Sequence, residues 1–246
     1  MKVLVLAGGF AKRMGGYCES CPKSLLPLAG KKVLDHIMEK LEGVPGVDEV
    51  IISTNQKFGS HFSEWMNQAR TGFKLDIIIE PATDEGQKLG SIGALQYCIE
   101  KKGIDEDLLV INGDNVFTFR LHDFLSFSRD KQDAVLTIFD TKSLQEAAKY
   151  GVVEMGGDGR ILNFQEKPEN PRTTLASIGI YYYPRQVLPR IKQYIDEGND
   201  KDTIGFFNQW MHSRGTVHAH VFREGKWFDI GTPEIYKLAE KELSDG

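Results

Sequence analysis

Short runs rich in β-branched residues alternate with longer segments of helical spacing over the first 112 residues. The runs that predict buried strands are Lys2–Ala7, Glu49–Ser53, Leu75–Ile79 and Leu108–Asn112. The segments that predict helices are Leu34–Leu41, Phe58–Ala69 and Leu89–Lys101. This alternation favours a mainly parallel sheet with helices on both faces, in which ligands bind at the carboxyl ends of the strands.

The second half of the chain has a less regular pattern. Its predicted strands are Ala134–Phe139, Tyr150–Glu154, Ile161–Gln165 and Ser177–Tyr183, and its predicted helices are Gln186–Asp196, Gly205–Ser213 and Pro233–Leu243. Neither a break in composition nor a Pro/Ser-rich linker divides the chain. We therefore predict one α/β domain over residues 1–246, with a Rossmann-like, mainly parallel sheet flanked by helices and a smaller antiparallel portion in the second half.

Composition narrows the class of protein. Hydrophobic residues make up 41% and charged residues 26% of the chain, as in folded globular proteins. The net charge of -5 argues against a nucleic-acid binder, which presents a basic face. No apolar run reaches the roughly 20 residues that a membrane helix needs, and the odd count of 3 cysteines favours a reducing compartment. We expect a cytoplasmic protein that binds neither membrane nor nucleic acid, and the sequence leaves homo-oligomer formation open.

A glycine loop, Gly8-Gly9-Phe10-Ala11-Lys12-Arg13, follows the first predicted strand. Glycines let the backbone approach a ligand closely and turn N–H groups toward phosphate oxygens, and Lys12 and Arg13 add positive charge. The dinucleotide pattern GxGxxG would need glycine at positions 10 and 13, and a P-loop would need Gly-Lys-Ser/Thr. The loop is therefore a nucleotide loop of another kind, or a plain strand-to-helix turn.

Further short motifs follow along most of the chain. They are Pro22–Gly30, Leu89–Ala94, Leu109–Asp114, Tyr150–Glu154, Phe164–Pro168, Ser177–Tyr181 and Trp227–Glu234. With the glycine loop, and in this order, they resemble the motifs GGxGTRL, PKxLLPV, LGTAGA, NGD, YGVVE, FEEKP, NAGIY and WxDIGTP of the sugar-1-phosphate nucleotidyltransferase family. The sequence departs from that pattern at Ala11, Lys12 and Ser177, where the family has glycine, threonine and asparagine.

The resemblance implies a Mg²⁺-dependent transferase that joins a nucleoside triphosphate to a sugar-1-phosphate, forming an NDP-sugar and releasing pyrophosphate. A hexose-1-phosphate is expected, and the base is unresolved among GTP, dTTP, UTP and CTP. Residues 1–118 would mainly bind the nucleotide and residues 119–246 the sugar phosphate. Because a phosphate monoester has a second pKa of about 6, the nucleophile needs no general base. Catalysis would then depend on positioning and charge neutralisation.

The resemblance also implies roles for individual residues. Nucleotide binding is implied for Ala7, Gly8, Gly9, Arg13, Glu80 and Gly90. Sugar-phosphate binding is implied for Gly151, Glu166, Lys167 and Ser177. Catalytic roles are implied for Arg13, Lys23 and Asp114, with Arg13 holding pyrophosphate and Lys23 lying near the α-phosphate. Asp114 and Asp229 are implied as the ligands of Mg²⁺.

Glu80 follows the third predicted strand, where family members often place the residue that contacts the base. An ionised carboxylate only accepts hydrogen bonds, which matches the N1–H and N2–H₂ donors of guanine. Glu80 is almost equally well explained as a turn carboxylate before Pro81. The base therefore stays open.

Two other hypotheses differ in class. The departures at Ala11, Lys12 and Ser177 motivate a non-catalytic nucleotide-sugar sensor or regulatory subunit of the same fold, although the charged residues of the family are complete. The other hypothesis is an NAD-dependent oxidoreductase on a similar sheet. Such an enzyme needs a third loop glycine and a ribose-binding acid after the second strand, and this sequence has neither.

Overall fold

The computed structural model of the chain describes residues 1–18 and 21–244. Glu19, Ser20, Asp245, Gly246 and the side chain of Lys12 lie outside that description. The strands are β1 (Lys2–Leu6), β2 (Pro27–Leu28), β3 (Lys31–Lys32), β4 (Glu49–Asn55), β5 (Lys74–Glu80), β6 (Leu108–Asn112), β7 (Asn115–Phe117), β8 (Val135–Asp140), β9 (Gly151–Met155), β10 (Ile161–Glu166), β11 (Leu175–Tyr183), β12 (His218–Phe222) and β13 (Trp227–Asp229). The helices are α1 (Val33–Leu41), α2 (Gly59–Gln68), α3 (Gly90–Lys102), α4 (His122–Arg129), α5 (Leu144–Ala147), α6 (Leu188–Asp196), α7 (Ile204–His212) and α8 (Pro233–Ser244).

The chain forms two compact units. Unit 1 comprises Met1–Leu89, Ile111–Leu121 and the segment from Lys226 onward, and unit 2 comprises Gly90–Val110 and His122–Gly225. This division differs from a single boundary at residue 118, because the end of the chain belongs with its beginning. The single domain with two sequential halves stays a prediction.

Unit 1 contains the parallel sheet. Strand β4 lies between β1 and β5 and pairs with both in parallel, and the last residues of β6 lie beside β1. Every residue of β4 is buried, as expected for a strand covered on both faces. Helix α2 packs against β4 and β5, and α1 packs against the short strand β7. Strand β7 pairs antiparallel with β13, so the carboxyl end of the chain contributes to this unit.

Helix α1 shows how the sequence determines these elements. Its apolar residues repeat at helical spacing and bury one face, which includes Val33, Ile37 and Leu41. The Asp35 carboxylate accepts a hydrogen bond from the Lys32 backbone N–H at 2.8 Å, satisfying a donor at the start of the helix. The other Asp35 oxygen accepts from the Trp65 indole at 2.7 Å, which ties α1 to α2.

Unit 2 contains the antiparallel portion. Strand β9 pairs antiparallel with β10 and β11, and β11 pairs antiparallel with β8. Strand β12 pairs in parallel with β8. Strand β11 is buried along nearly its whole length, whereas β10 is buried only at Ile161 and Phe164. Helix α7 packs against β10, and helices α3 and α6 pack against α7.

The predicted α/β class is confirmed, with a mainly parallel sheet flanked by helices and a smaller antiparallel portion in the second half. Strand β6 has the predicted bounds, whereas β4 and β5 extend past them to Asn55 and Glu80. The sequence predictions missed the strands β2, β3, β7, β12 and β13 and the helices α4 and α5. Among the helices of the described chain, none combines the length and apolar character that crossing a bilayer requires.

Candidate active site

The glycine loop of unit 1 begins at the carboxyl end of β1, between two neighbouring strands. The Ala7 backbone N–H donates to the Ser53 carbonyl oxygen at 2.8 Å, and the Gly113 N–H donates to the Leu6 carbonyl oxygen at 2.8 Å. Because the strand ends of a parallel sheet meet at one edge, residues after β1, β4, β5 and β6 share this edge. The structure therefore brings the loop to the edge at which ligands bind in such sheets.

Glu80 is buried against this loop. Only 3% of Glu80 is exposed, and its Oε1 accepts a hydrogen bond from the Ser53 hydroxyl at 2.7 Å. A Cβ atom on Gly8 would lie 2.4 Å from the same oxygen, so glycine is required at position 8 while Glu80 occupies this position. Burial raises the pKa of the Glu80 carboxyl above its ordinary value, and the Ser53 hydrogen bond partly offsets this rise.

Lys23 and Asp114 form an ion pair in unit 1. The Lys23 ammonium donates to Asp114 Oδ2, with 15% and 26% of the two side chains exposed. Burial lowers the pKa of Lys23, but the charge and hydrogen bond of Asp114, together with the charge of Asp229, outweigh burial and raise it. The ammonium is therefore held in its charged form beside a carboxylate.

Pairing of β7 with β13 brings Asp229 to Asp114. In this ladder Asp229 is opposite Asn115, and the Ile230 N–H donates to the Asp114 carbonyl oxygen at 2.9 Å. A Cβ on Gly231 would lie 3.6 Å from Asp229 Oδ1 and 3.7 Å from an Nη of Arg13. The structure therefore brings together Arg13, Lys23, Asp114 and Asp229, which the sequence places far apart.

This cluster fits the implied Mg²⁺. Magnesium is usually held by one or two carboxylates, with water and substrate phosphates completing its octahedral shell. Asp229 at the end of β13 and Asp114, which directly precedes β7, supply two hard oxygen donors. Within the described residues, no larger group of three or more His, Cys, Asp or Glu ligands occurs. The donor set therefore suits a cation that substrate phosphates share better than a closed protein cage.

The four residues implied in sugar-phosphate binding meet in unit 2. Gly151 is opposite Glu166 in the β9–β10 ladder and opposite Ser177 in the β9–β11 ladder. Residues that are directly paired across antiparallel strands lie on the same face of a sheet. Lys167 has a left-handed backbone with φ 47°, and its N–H donates to the Tyr150 carbonyl oxygen at 3.0 Å. The structure therefore places Gly151, Glu166 and Ser177 in one cross-strand row, and Lys167 directly follows Glu166.

Two oxygen-bearing side chains of this row are buried. The Glu166 side chain is 5% exposed, and its Oε1 lies 3.8 Å from the Lys167 ammonium. Burial raises the pKa of the Glu166 carboxyl, and the charge of Lys167 partly offsets this rise. The Ser177 Oγ is buried and has no hydrogen-bond partner among the described residues. Both groups can form hydrogen bonds with a polyhydroxylated ligand.

Gly90 is the first residue of unit 2, whereas the other residues implied in nucleotide binding belong to unit 1. Its φ is 76°, and a Cβ there would lie 2.3 Å from the Lys201 carbonyl oxygen. The N–H groups of Ser91 and Ile92 donate to the carbonyl oxygens of Asp202 and Lys201, at 3.1 and 3.0 Å. The structure therefore explains this glycine by backbone packing at the start of α3, and nucleotide contact stays a prediction.

Two departures from the family motifs fall in the loop before Lys23. Ala11 has φ 54° and ψ 32°, a left-handed conformation that glycine adopts readily and that costs alanine about 1–2 kcal/mol. The backbone at position 11 therefore has a conformation that favours glycine, although the residue there is alanine. The side chain of Lys12 lies outside the described part of the chain, so its suggested phosphate contact stays a prediction.

Sequence reasoning missed several residues that support these side chains. In unit 1, Ser53 donates to Glu80, and the Asn55 amide donates to the Gly8 carbonyl oxygen at 2.9 Å. Both lie within the last three residues of β4, so the rule of inspecting strand ends would have found them. In unit 2, Gln209 Oε1 accepts from the Glu166 N–H at 2.8 Å, and no motif marks Gln209.

The sequence of this chain is similar to those of known proteins. A family model described as nucleotidyl transferase matches residues 2–246. The bifunctional protein GlmU of Methanocaldococcus jannaschii is 28% identical over 246 residues, which cover 100% of this chain and 55% of that protein. Mannose-1-phosphate guanylyltransferase 1 of Arabidopsis thaliana is 33% identical over 239 residues, which cover 96% of this chain and 63% of that protein.

A solved structure shares the fold. UDP-glucose pyrophosphorylase complexed with UDP-glucose matches with a TM-score of 0.82 at 21% identity, over 99% of this chain and 98% of that chain. The two curated relatives are longer, and this chain spans 55% and 63% of their lengths. Because the family model covers residues 2–246, this chain belongs to the nucleotidyl transferase family.

Proposed function

We propose that this chain is a Mg²⁺-dependent sugar-1-phosphate nucleotidyltransferase that forms an NDP-sugar and pyrophosphate from a nucleoside triphosphate and a hexose-1-phosphate. The observation that carries the proposal is the meeting of Arg13, Lys23, Asp114 and Asp229 in unit 1. Two cations and two carboxylates at the edge of a parallel sheet match the charge pattern that a metal-bound polyphosphate requires.

In the proposed reaction, an oxygen of the sugar phosphate attacks the α-phosphorus of the triphosphate. The new P–O bond forms as the bond between the α-phosphorus and its bridging oxygen breaks, and pyrophosphate leaves with the electron pair. The nucleophile is already ionised near neutral pH, since its second pKa is about 6. The protein therefore has to bring two polyanions together rather than move a proton.

The unit 1 residues divide this task. Arg13 has a planar fork of donors that suits the oxygens of departing pyrophosphate. Lys23 is held charged beside Asp114 and would neutralise charge near the α-phosphate. Asp114 and Asp229 would hold Mg²⁺, which when bound offsets phosphate charge and orients the α-phosphate. The backbone from Ala7 to Gly9 would contact the nucleotide.

Glu80 would contact the base at the end of β5. Its carboxylate faces Gly8 and already accepts one hydrogen bond from Ser53. An ionised carboxylate matches the paired N1–H and N2–H₂ donors of guanine, whereas uracil and thymine offer one N3–H donor between two carbonyls. This arrangement supports GTP as the preferred triphosphate.

The cross-strand row of unit 2 would bind the sugar phosphate. Glu166 and Ser177 carry buried oxygens that sugar hydroxyls can satisfy, and Gly151 adds backbone contact without a side chain. The exposed ammonium of Lys167 would pair with the phosphate. Cys18, Cys21 and Cys98 form no disulfide in the described part of the chain, which supports the cytoplasm that the sequence predicts.

The test is a screen for pyrophosphate release. GTP, UTP, dTTP, CTP and ATP are each mixed with several hexose-1-phosphates in the presence of Mg²⁺, and EDTA provides the metal-free control. We expect release with at least one pair, highest with GTP and lost in EDTA. Silence across the panel, combined with ligand-induced thermal stabilisation, would favour the non-catalytic sensor instead.

A further inference from the structure

Glycine stands at an unusual place in unit 2, in the first turn of α7. Gly205 is the second residue of this helix and is buried. Glycine is a poor helix former in comparison with almost every other residue, because it has the most backbone freedom to lose. A glycine inside a regular helix therefore needs a reason in its surroundings.

The reason at Gly205 is the Glu166 carboxylate. A Cβ on Gly205 would lie 1.8 Å from Glu166 Oε2 and 2.2 Å from its carboxyl carbon, far inside van der Waals contact. On the other side, a Cβ on Gly151 would lie 2.9 Å from the same Oε2. The carboxylate thus occupies a slot between two glycines, one on α7 and one on β9.

Helix α7 also holds the backbone of Glu166. The Glu166 N–H donates to Gln209 Oε1 at 2.8 Å. Gly205 and Gln209 are four residues apart, so they lie on the same face of α7. One helix face therefore both anchors the main chain of Glu166 and leaves room for its carboxylate.

We infer that Gly205 is a positioning residue that keeps the Glu166 carboxylate over Gly151, in the row that binds the sugar phosphate. The inference rests on the proposed function, because it assigns the carboxylate to sugar recognition. The atoms that a Cβ on Gly205 would meet are the carboxyl atoms at the end of the flexible Glu166 side chain. Alanine at position 205 therefore moves the carboxylate instead of disrupting the fold. Displacing a binding group by about 1 Å is enough to reduce turnover by up to about 10²-fold.

The test is a double-mutant cycle in the full chain, using the most active substrate pair from the screen. Gly205→Ala should raise KM for the sugar phosphate by about tenfold or more and leave KM for the triphosphate unchanged. Glu166→Asp withdraws the carboxylate by one methylene group and removes the clash. The double variant should therefore match Glu166→Asp alone instead of showing the product of the two effects.

Gly157→Ala is the matched control, because no atom lies within 4 Å of a Cβ at that position. It should leave both KM values unchanged. If Gly205→Ala does not fold, the double variant should fold, since the clash is gone. If neither variant folds, alanine at position 205 disrupts the fold for a reason unrelated to the Glu166 carboxylate, and the inference is overturned.

Two kinetic outcomes also count against it. A Gly205→Ala enzyme with an unchanged KM for the sugar phosphate, or effects that simply multiply in the double variant, would overturn the inference while the proposed function stands. A wild-type chain that releases no pyrophosphate in the screen would remove the proposed function and this inference with it.

Discussion

The candidate site of unit 1 carries compensated charge, whereas that of unit 2 carries buried oxygens with few partners. In unit 1, Lys23 pairs with Asp114, and Asp229 lies near Arg13. In unit 2, the Glu166 carboxylate lies in a glycine slot with Lys167 3.8 Å away, and the Ser177 hydroxyl has no partner among the described residues. Paired charges are stable before a ligand arrives, whereas unpaired buried oxygens gain most when a ligand supplies donors. This contrast suits a charged polyphosphate in unit 1 and a hydroxyl-rich sugar in unit 2.

The largest effect on activity is expected from the unit 1 carboxylates. Asp114→Asn and Asp229→Asn should each reduce kcat by about 10²–10³-fold, because each removes a charged ligand of the metal that offsets phosphate charge. Pyrophosphate release and circular dichroism would be measured together, since the fold should survive. Asp123→Asn is the control, as its side chain is 87% exposed on α4. Near-normal rates in either variant would remove that carboxylate from the metal site.

Stability should respond with opposite sign in the two units. Asp114→Asn leaves the Lys23 ammonium, 15% exposed, without its carboxylate and should lower the free energy of unfolding by about 1–3 kcal/mol. Glu166→Gln removes a carboxylate whose ionisation burial opposes, and should raise the free energy of unfolding. Denaturant unfolding at pH 7 would measure both. Two changes of the same sign would break the contrast between the sites.

The pH dependence of these effects follows from the direction of each pKa shift. The raised pKa of Lys23 means that its pairing stabilises the fold fully below pH 10.5, and that this stability is lost as pH rises through the folded pKa. The raised pKa of Glu166 means that stability falls as pH rises from 4.5, the ordinary value, to the folded pKa, because only the unfolded state is ionised in that range. The gain from Glu166→Gln should therefore disappear below pH 4.5, the ordinary value of that carboxyl.

Arg13→Ala should separate the two substrates. We expect KM for the triphosphate to rise about tenfold, because a charge-assisted contact to phosphate is lost, and KM for the sugar phosphate to change little. Arg70→Ala, at an exposed position after α2, is the matched control and should leave both constants unchanged. Equal effects on both substrates would contradict the assignment of Arg13 to pyrophosphate.

Glu80→Gln tests base recognition within unit 1. Glutamine adds a donor that suits the uracil edge, so the ratio of kcat/KM for GTP to that for UTP should fall about tenfold. Burial raises the pKa of Glu80, so in the wild type this ratio should also fall as pH decreases through that pKa and the carboxyl gains a proton. The glutamine variant should lack this pH dependence. An unchanged ratio would show that Glu80 is only a buried partner of Ser53.

The sequence predicted the long elements and the charged residues for physical reasons. The runs of β1, β4 and β6 are continuous and apolar enough to be recognised as buried strands, and the strand-end rule indicated the residues that follow them. Strands β7 and β13 have three residues each, which is too short for a periodic signal. Their pairing, which brings Asp229 to Asp114, could be expected only from the family motifs.

The support of the sugar row was beyond sequence reasoning. The part that Gly205 and Gln209 play depends on how α7 packs against β10, and packing between distant segments leaves no local pattern. The helix of α7 was predicted, but nothing in its sequence shows that a carboxylate from another strand fills the space of the missing Cβ. Such contacts are decided by tertiary structure alone.

Ser177→Ala should produce the smallest change in KM and in the free energy of unfolding. Because the Ser177 Oγ is buried without a partner among the described residues, its removal should raise the free energy of unfolding by about 1 kcal/mol. KM for the sugar phosphate should rise a few-fold, since a sugar hydroxyl loses its partner. Ser128→Ala is the matched control in unit 2, because that buried hydroxyl donates to the Phe124 carbonyl oxygen at 2.7 Å and its loss should destabilise the fold. If both variants lose stability alike, the Ser177 hydroxyl already has a hydrogen-bond partner without a ligand. The row of Gly151, Glu166 and Ser177 would then have no unpaired hydroxyl for a sugar to bind.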